Sequence, residues 1–123
     1  MDMTVLVVED EADLAVSYAR LLHRQGYRVT CAGSREAALQ LIAEEPVRLV
    51  IADLRLPDGD GLDIVRAARA LLKPPPVLVA TVFASRASRQ AALAAGAGAF
   101  LVKPFDAETF NRVVNDLTKN TPC

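Results

Sequence analysis

Four positions in this 123-residue sequence place reactive polar groups directly after short apolar runs: Glu9-Asp10-Glu11, Asp53, Thr81 and Lys103. Carboxylates gathered in one crevice repel one another, and uncompensated they would be forced to hold protons. A hard divalent cation, Mg²⁺ or Mn²⁺, is the natural compensation, because Mg²⁺ takes oxygen ligands and is commonly held by one or two carboxylates together with phosphate oxygens. A phosphoryl group is then welcome at the same place. The cation and the Lys103 ammonium would neutralise its oxygens, and the Thr81 hydroxyl could donate to one of them. A remaining carboxylate can attack phosphorus and form an acyl phosphate. Asp53 is the candidate, since it closes the run Leu49-Val50-Ile51-Ala52 and is followed by a turn-rich stretch, Leu56-Pro57-Asp58-Gly59-Asp60-Gly61. Each residue alone also fits a plainer role, as a helix-terminal charge, a turn residue, a cap or a surface charge. Their joint arrival at one edge gives the chemical reading its weight.

That edge follows from the elements that carry them. Five apolar runs, Val5-Leu6-Val7-Val8, Tyr27-Arg28-Val29-Thr30-Cys31, Leu49-Val50-Ile51-Ala52, Val77-Leu78-Val79-Ala80 and Ala99-Phe100-Leu101-Val102, alternate with segments of helical period. This alternation predicts repeated βα units around a parallel sheet. Three runs are apolar nearly throughout, as expected of strands covered on both faces, whereas Arg28 and Thr30 mark the second as an edge. Leu14, Tyr18, Leu21 and Leu22 share one helical face; Ala38, Leu41 and Ile42 form a second, Leu62, Val65 and Ala68 a third, and Phe110, Val113, Val114 and Leu117 a last. Between Ser85 and Ala95 the apolar residues are mostly alanine, so this helix is expected to dock shallowly. Gly26 is placed to stop the first helix and Ser34 to cap the second, with Ala37 leaving the capping box incomplete. Lys73-Pro74-Pro75-Pro76 should end the third helix and restart an extended chain. Right-handed crossovers then leave a doubly wound α/β sandwich, whose sites lie at the carboxyl ends of the strands.

Composition narrows the function classes. One domain is expected from the length. Hydrophobic content of 52% with 24% charged residues argues against disorder, and a net charge of -1 gives no general attraction to nucleic acid or anionic membrane. The longest apolar or glycine run, Ala91 to Val102, falls well short of the roughly 20 residues that span a bilayer. Met1-Asp2-Met3-Thr4 leads directly into the first strand without a basic, apolar leader, so the reading is cytoplasmic. Cys31 and Cys123 form neither a disulfide framework nor a metal motif.

Other chemistries fit less well. Asp58-Gly59-Asp60-Gly61 invites a calcium-loop reading, but the twelfth position counted from Asp58 is Arg69, where a bidentate glutamate is needed. Gly59 and Gly61 suit a tight turn, with Asp58 or Asp60 capping the third helix. A flavin mononucleotide site would want hydroxyls and amides after the first strand, and Glu9, Asp10 and Glu11 would repel its phosphate. An aspartate-based phosphatase would carry paired acids as Asp-x-Asp. His23, the only histidine, lies mid-helix among Leu22, Arg24 and Gln25 and reads as surface.

Val7-Val8-Glu9-Asp10-Glu11, Asp53 with Leu56-Pro57-Asp58-Gly59-Asp60-Gly61, Thr81, and Lys103-Pro104-Phe105 together resemble the receiver domain of response regulators, from about Met3 to Leu117. The resemblance implies a flavodoxin-like (βα)5 fold with strand order 2-1-3-4-5, a receiver domain over residues 1–119 and a tail or truncated linker at 120–123. It implies that Asp53 takes a phosphoryl group from a phosphohistidine on a sensor histidine kinase or histidine phosphotransfer protein. Asp10 and Asp53 would bind Mg²⁺ through side chains, Arg55 through its backbone carbonyl, and Glu9 mainly through water. Thr81 and Lys103 would contact the phosphoryl oxygens. Phe100 occupies the aromatic switch position and would turn inward as Thr81 moves. The Lys103–Pro104 peptide would be cis. The chain would be a phosphoacceptor with only self-phosphorylation and self-dephosphorylation chemistry. Its output face would be the fourth helix, fifth strand and fifth helix, which would also serve homodimerisation, and the domain itself would bind neither nucleic acid nor membrane.

Val82 departs from the pattern. A small residue is usual after the threonine in this family, and a β-branched one narrows the approach to Asp53. This keeps open a reading from another class, a receiver-like interaction module that works without phosphorylation. Arg55 and Phe83 sit where family members tune the lifetime of the phosphorylated state.

Overall fold

A computed structural model describes residues 3–119. The tail expected at 120–123, with Cys123, lies outside the described residues. In chain order the elements are β1 (Thr4–Val8), α1 (Ala12–Arg24), β2 (Arg28–Ala32), α2 (Arg35–Glu44), β3 (Leu49–Ala52), β4 (Arg55–Leu56), β5 (Gly59–Asp60), α3 (Leu62–Arg69), β6 (Val77–Thr81), α4 (Arg86–Ala95), β7 (Ala99–Val102) and α5 (Ala107–Lys119). The main sheet is parallel throughout, in the order β2-β1-β3-β6-β7. With the two-residue strands β4 and β5 set aside as a small antiparallel hairpin, this is the expected 2-1-3-4-5.

Strand alternation divides the core into two layers. Leu6, Val8, Val50, Ala52, Val77 and Val79 face α2, α3 and α4, packing with Ile42, Ile64, Val65, Ala68 and Ala92. Val5, Val7, Leu49, Ile51, Leu78 and Ala80 face α1 and α5, packing with Tyr18, Leu22, Phe110 and Val114. Each fully buried valine, leucine or isoleucine contributes about 1.5–3 kcal/mol, and the polar residues of β1, β3 and β6, Thr4 and Thr81, stand only at strand ends. β2 lies at the edge, half-exposed, with Cys31 exposed.

Helix ends follow local chemistry. Gly26 adopts a φ of 91°, a left-handed conformation that glycine enters without strain, and turns the chain from α1 into β2. The Ser34 side chain accepts from the Ala37 amide. Ser85 caps α4 through a reciprocal box with Ser88, a pairing hidden in the sequence because the partner is serine rather than glutamate. α4 buries only Ala92 fully, matching its alanine-rich stripe. α3 ends at Arg69 rather than reaching Lys73: the residue before a proline avoids helix, and the chain has left the helix before the three prolines hold it extended.

Candidate functional site

The register brings the polar groups together. Val8 pairs with Ala52, so Glu9 and Asp53 leave the sheet on the same rung. Glu9 donates its amide to the Ala32 carbonyl and Asp53 its amide to that of Val8, extending the ladder one residue beyond each strand. Thr81 ends β6, and its carbonyl accepts the Lys103 amide at 2.9 Å. Four strands therefore deliver Glu9, Asp53, Thr81 and Lys103 to one carboxyl edge.

Glu9 is 6% exposed, Asp53 8%, and Thr81 fully buried. The Lys103 ammonium donates to Asp53 Oδ2 at 2.8 Å and, in a very short contact, to Glu9 Oε1. Asp53 Oδ1 accepts the Arg55 amide at 3.2 Å, and Glu9 Oε2 accepts the Glu11 amide. Burial raises the Glu9 pKa above the ordinary 4.5, outweighing the hydrogen bond and charge of Lys103. Burial opposes the charge of Lys103, but the hydrogen bonds to Asp53 and Glu9 prevail and raise its pKa above 10.5. One ammonium thus serves two buried carboxylates, and the Asp53 charge adds slightly to the burial that raises Glu9.

An all-oxygen donor set with surplus negative charge fits a hard divalent cation. Asp10 stands exposed beside the pair, and among the described residues no three of His, Cys, Asp and Glu close on one point. Mg²⁺ does not require that closure, since it keeps several waters and needs only one or two carboxylates.

Gly61 fixes the turn behind Asp53. Its φ is ordinary, but a Cβ there would collide with the Asp53 carbonyl oxygen. Gly61→Ala is expected to push this loop outward and cost about 1–3 kcal/mol, as overpacking does; denaturant titration measures it, and unchanged stability would show that the turn relaxes freely. Asp60 Oδ1 accepts the Leu62 amide at 2.8 Å and so serves α3. Asp58 does not. Its carboxylate accepts the Arg35 and Glu36 amides at 2.7 and 3.0 Å, capping α2 from across the edge, while Arg35 donates to Asp63 at 2.8 Å. This corrects the expectation that Asp58 would serve α3: a cap from a distant loop leaves no local pattern in the sequence.

Arg55 and Phe83 meet at the rim, the guanidinium lying 3.9 Å from the ring centroid. Together with Leu54, Leu56, Leu62, Ala84 and Ser88 they line a cavity of about 650 Å³. Val82 is 58% exposed and borders a second cavity, of about 420 Å³, shared with Tyr18, Lys103 and Phe105. The Lys103–Pro104 peptide is cis. Phe100 is buried, packed in the core with Ala92 and Ala97 beneath α4. Small alanines leave room for the ring, and the Arg89 guanidinium lies 5.7 Å from its centroid. His23 is exposed.

A sequence model described as the response regulator receiver domain matches residues 5–115. The chain is 36% identical over 119 residues to the two-component response regulator PhoP of Pseudomonas aeruginosa, a match covering 97% of this chain and 53% of that protein. The chain thus spans about half the length of that relative. A response regulator protein from Burkholderia pseudomallei, whose crystal structure has a phosphorylated aspartic acid, a calcium ion and citrate, superposes with a TM-score of 0.85 at 32% identity, over 98% of this chain and 69% of that one. The receiver domain of the sensor histidine kinase PA1611 from Pseudomonas aeruginosa, with magnesium coordinated in its active-site cleft, gives 0.85 at 26% identity, over 98% of this chain and all of that one. Among the described residues no helix is long and apolar enough to cross a membrane.

Proposed function

The chain belongs to the response regulator receiver domain family, and from that membership we propose that Asp53 accepts a phosphoryl group from a phosphohistidine on a partner sensor histidine kinase or histidine phosphotransfer protein. The observation that carries this reading is the pair of buried carboxylates, Glu9 and Asp53, sharing one lysine at the carboxyl edge of the sheet. The phosphorylated aspartate in the Burkholderia relative supports it.

Asp53 Oδ attacks phosphorus as the phosphorus–nitrogen bond of the donor breaks. An acyl phosphate forms, and the departing imidazole takes up a proton. Asp10 and Asp53 would hold Mg²⁺ or Mn²⁺ by their side chains, Arg55 by its carbonyl and Glu9 through water, in keeping with the magnesium of the PA1611 receiver. When bound, the cation neutralises charge on the transferring oxygens. Lys103 has to release a carboxylate to reach a phosphoryl oxygen, and its ammonium then carries the same duty.

Switching runs through Thr81. Its hydroxyl oxygen accepts the Phe83 amide at 3.2 Å, and the Phe83 carbonyl accepts the Ser88 hydroxyl at 2.6 Å in the first turn of α4. A Thr81 hydroxyl that turns to a phosphoryl oxygen disturbs the first contact and, through it, the start of the shallowly docked α4. The face of α4, β7 and α5 is the output and homodimer surface in this reading. The domain extends over residues 1–119, acts in the cytoplasm, catalyses nothing beyond its own phosphorylation and dephosphorylation, and binds neither nucleic acid nor membrane itself.

Incubation with Mg²⁺ and acetyl phosphate, followed by intact mass measurement, is expected to show one added phosphoryl group, lost when a chelator removes the metal. No gain under conditions that load a control receiver would overturn this reading in favour of a phosphorylation-independent interaction module.

A further inference from the structure

Tyr18 is a buried polar group that the chemistry above leaves without a task. It is 4% exposed, and its hydroxyl has no hydrogen-bond partner among the described residues. Leaving such a group unmade costs about 1–3 kcal/mol. Its position is not loose. The ring stacks nearly parallel on Phe105 and Phe110, with centroids 5.9 and 5.4 Å away, and those two rings stack on each other. Phenylalanine would fill the same place without the penalty. The hydroxyl therefore marks a requirement that packing does not explain. Tyr18 and Lys103 line the same cavity of about 420 Å³ between α1 and the loop after β7.

Lys103 has a matching difficulty. Its ammonium holds both Glu9 and Asp53, the groups that a cation and a phosphoryl group would claim. A divalent ion at those carboxylates repels the ammonium, and Lys103 must leave at least one of them while staying charged and largely buried. A neutral oxygen lacking a partner on the adjoining wall supplies an acceptor that does not compete for the metal.

We propose that the Tyr18 hydroxyl is a second seat for the Lys103 ammonium, a positioning residue that accepts a hydrogen bond from Nζ when a metal ion or phosphoryl group displaces it from Glu9 and Asp53. This rests on the phosphoacceptor reading for the phosphoryl part only. Burial pushes the Tyr18 phenol up to about 12, so it stays protonated at neutral pH and keeps oxygen lone pairs to accept with. The Lys103 ammonium opposes that rise, both by its charge and by an approach close to hydrogen bonding, which places the two groups within reach of each other.

Two measurements test the seat. The chain has two tyrosines and no tryptophan, so in a Tyr27→Phe background the ultraviolet emission reports Tyr18 alone. Adding Mg²⁺ is expected to change that emission, and the change should vanish when Lys103→Met is added, measured where circular dichroism shows the double variant fully folded before and after the addition and calorimetry shows that it still binds Mg²⁺. An equal change with and without Lys103 overturns the proposal. In the second, Tyr18→Phe keeps the ring stack and should unfold at the same or a higher denaturant concentration than wild type. It should nevertheless take up phosphoryl groups from acetyl phosphate about 3–10-fold more slowly at saturating Mg²⁺, a loss of about 0.7–1.4 kcal/mol in the barrier. A wild-type rate overturns the seat and leaves the phosphoacceptor reading standing. If wild type itself gains no phosphoryl mass, that reading fails instead, and the emission experiment still decides the metal-driven movement of Lys103.

Discussion

Asp53→Asn is expected to gain no phosphoryl mass in any incubation with Mg²⁺ and acetyl phosphate that loads the wild type. The substitution keeps the shape of the side chain and removes its chemistry, because an amide oxygen, its electrons shared with nitrogen, neither attacks phosphorus nor holds a metal ion as a carboxylate does. The fold should survive. The Arg55 amide still finds an oxygen, and Lys103 keeps Glu9. Losing one charge-assisted hydrogen bond costs about 1.5–3 kcal/mol, but repulsion between Glu9 and Asp53 disappears with it and offsets part of that cost. Intact mass and a denaturant melt of the same preparation separate the two effects. A variant that gained a full phosphoryl group would move the acceptor to another residue.

Lys103→Met is expected to be costly in a different way. It leaves the carboxylates of the buried residues Glu9 and Asp53 with no cation between them. Breaking a buried pair by removing one partner costs about 3–5 kcal/mol, a large part of the roughly 5–15 kcal/mol that holds a domain folded. The pH dependence identifies the cause. Glu9 has a folded pKa above its unfolded value of 4.5, so between the two values the native state binds more protons and stability falls as pH rises. Lys103 supplies the two largest influences that lower the Glu9 value, ahead of the Glu11 amide, so deleting it widens that window upward. The variant should therefore recover most of its lost stability at about pH 5 relative to about pH 8. The wild-type Lys103 has a raised pKa; its contribution is fully present below 10.5 and lost as pH rises through the folded value, an alkaline loss the variant no longer shows. Urea titrations across this range measure both effects. Mg²⁺ should rescue the variant at neutral pH, because it replaces the missing positive charge. A deficit that ignored both pH and Mg²⁺ would mean that Lys103 matters only for packing.

The strands, helices and shared carboxyl edge were legible in the sequence because each depends on a local period. Three unbroken apolar runs required coverage on both faces, and right-handed crossovers left few ways to supply it. Glu9, Asp53, Thr81 and Lys103 were legible for the same reason, as Thr81 ends its strand and each of the others is one step beyond a strand. Even the shallow docking of α4 could be read from its alanines.

What the tertiary structure decided lies in contacts between segments distant in sequence. Asp58 caps α2 instead of α3 because the turn after β3 folds against the start of α2, and no sequence window contains both. Lys103, expected to contact phosphoryl oxygens, bridges Glu9 and Asp53 in this arrangement. Tyr18 appeared in the sequence as one member of an apolar stripe. Only its burial beside the lysine cavity, with the hydroxyl unpaired, distinguishes it from a core residue. Sequence period determines which face a side chain takes, whereas its partner is set by how the loops close over the edge of the sheet.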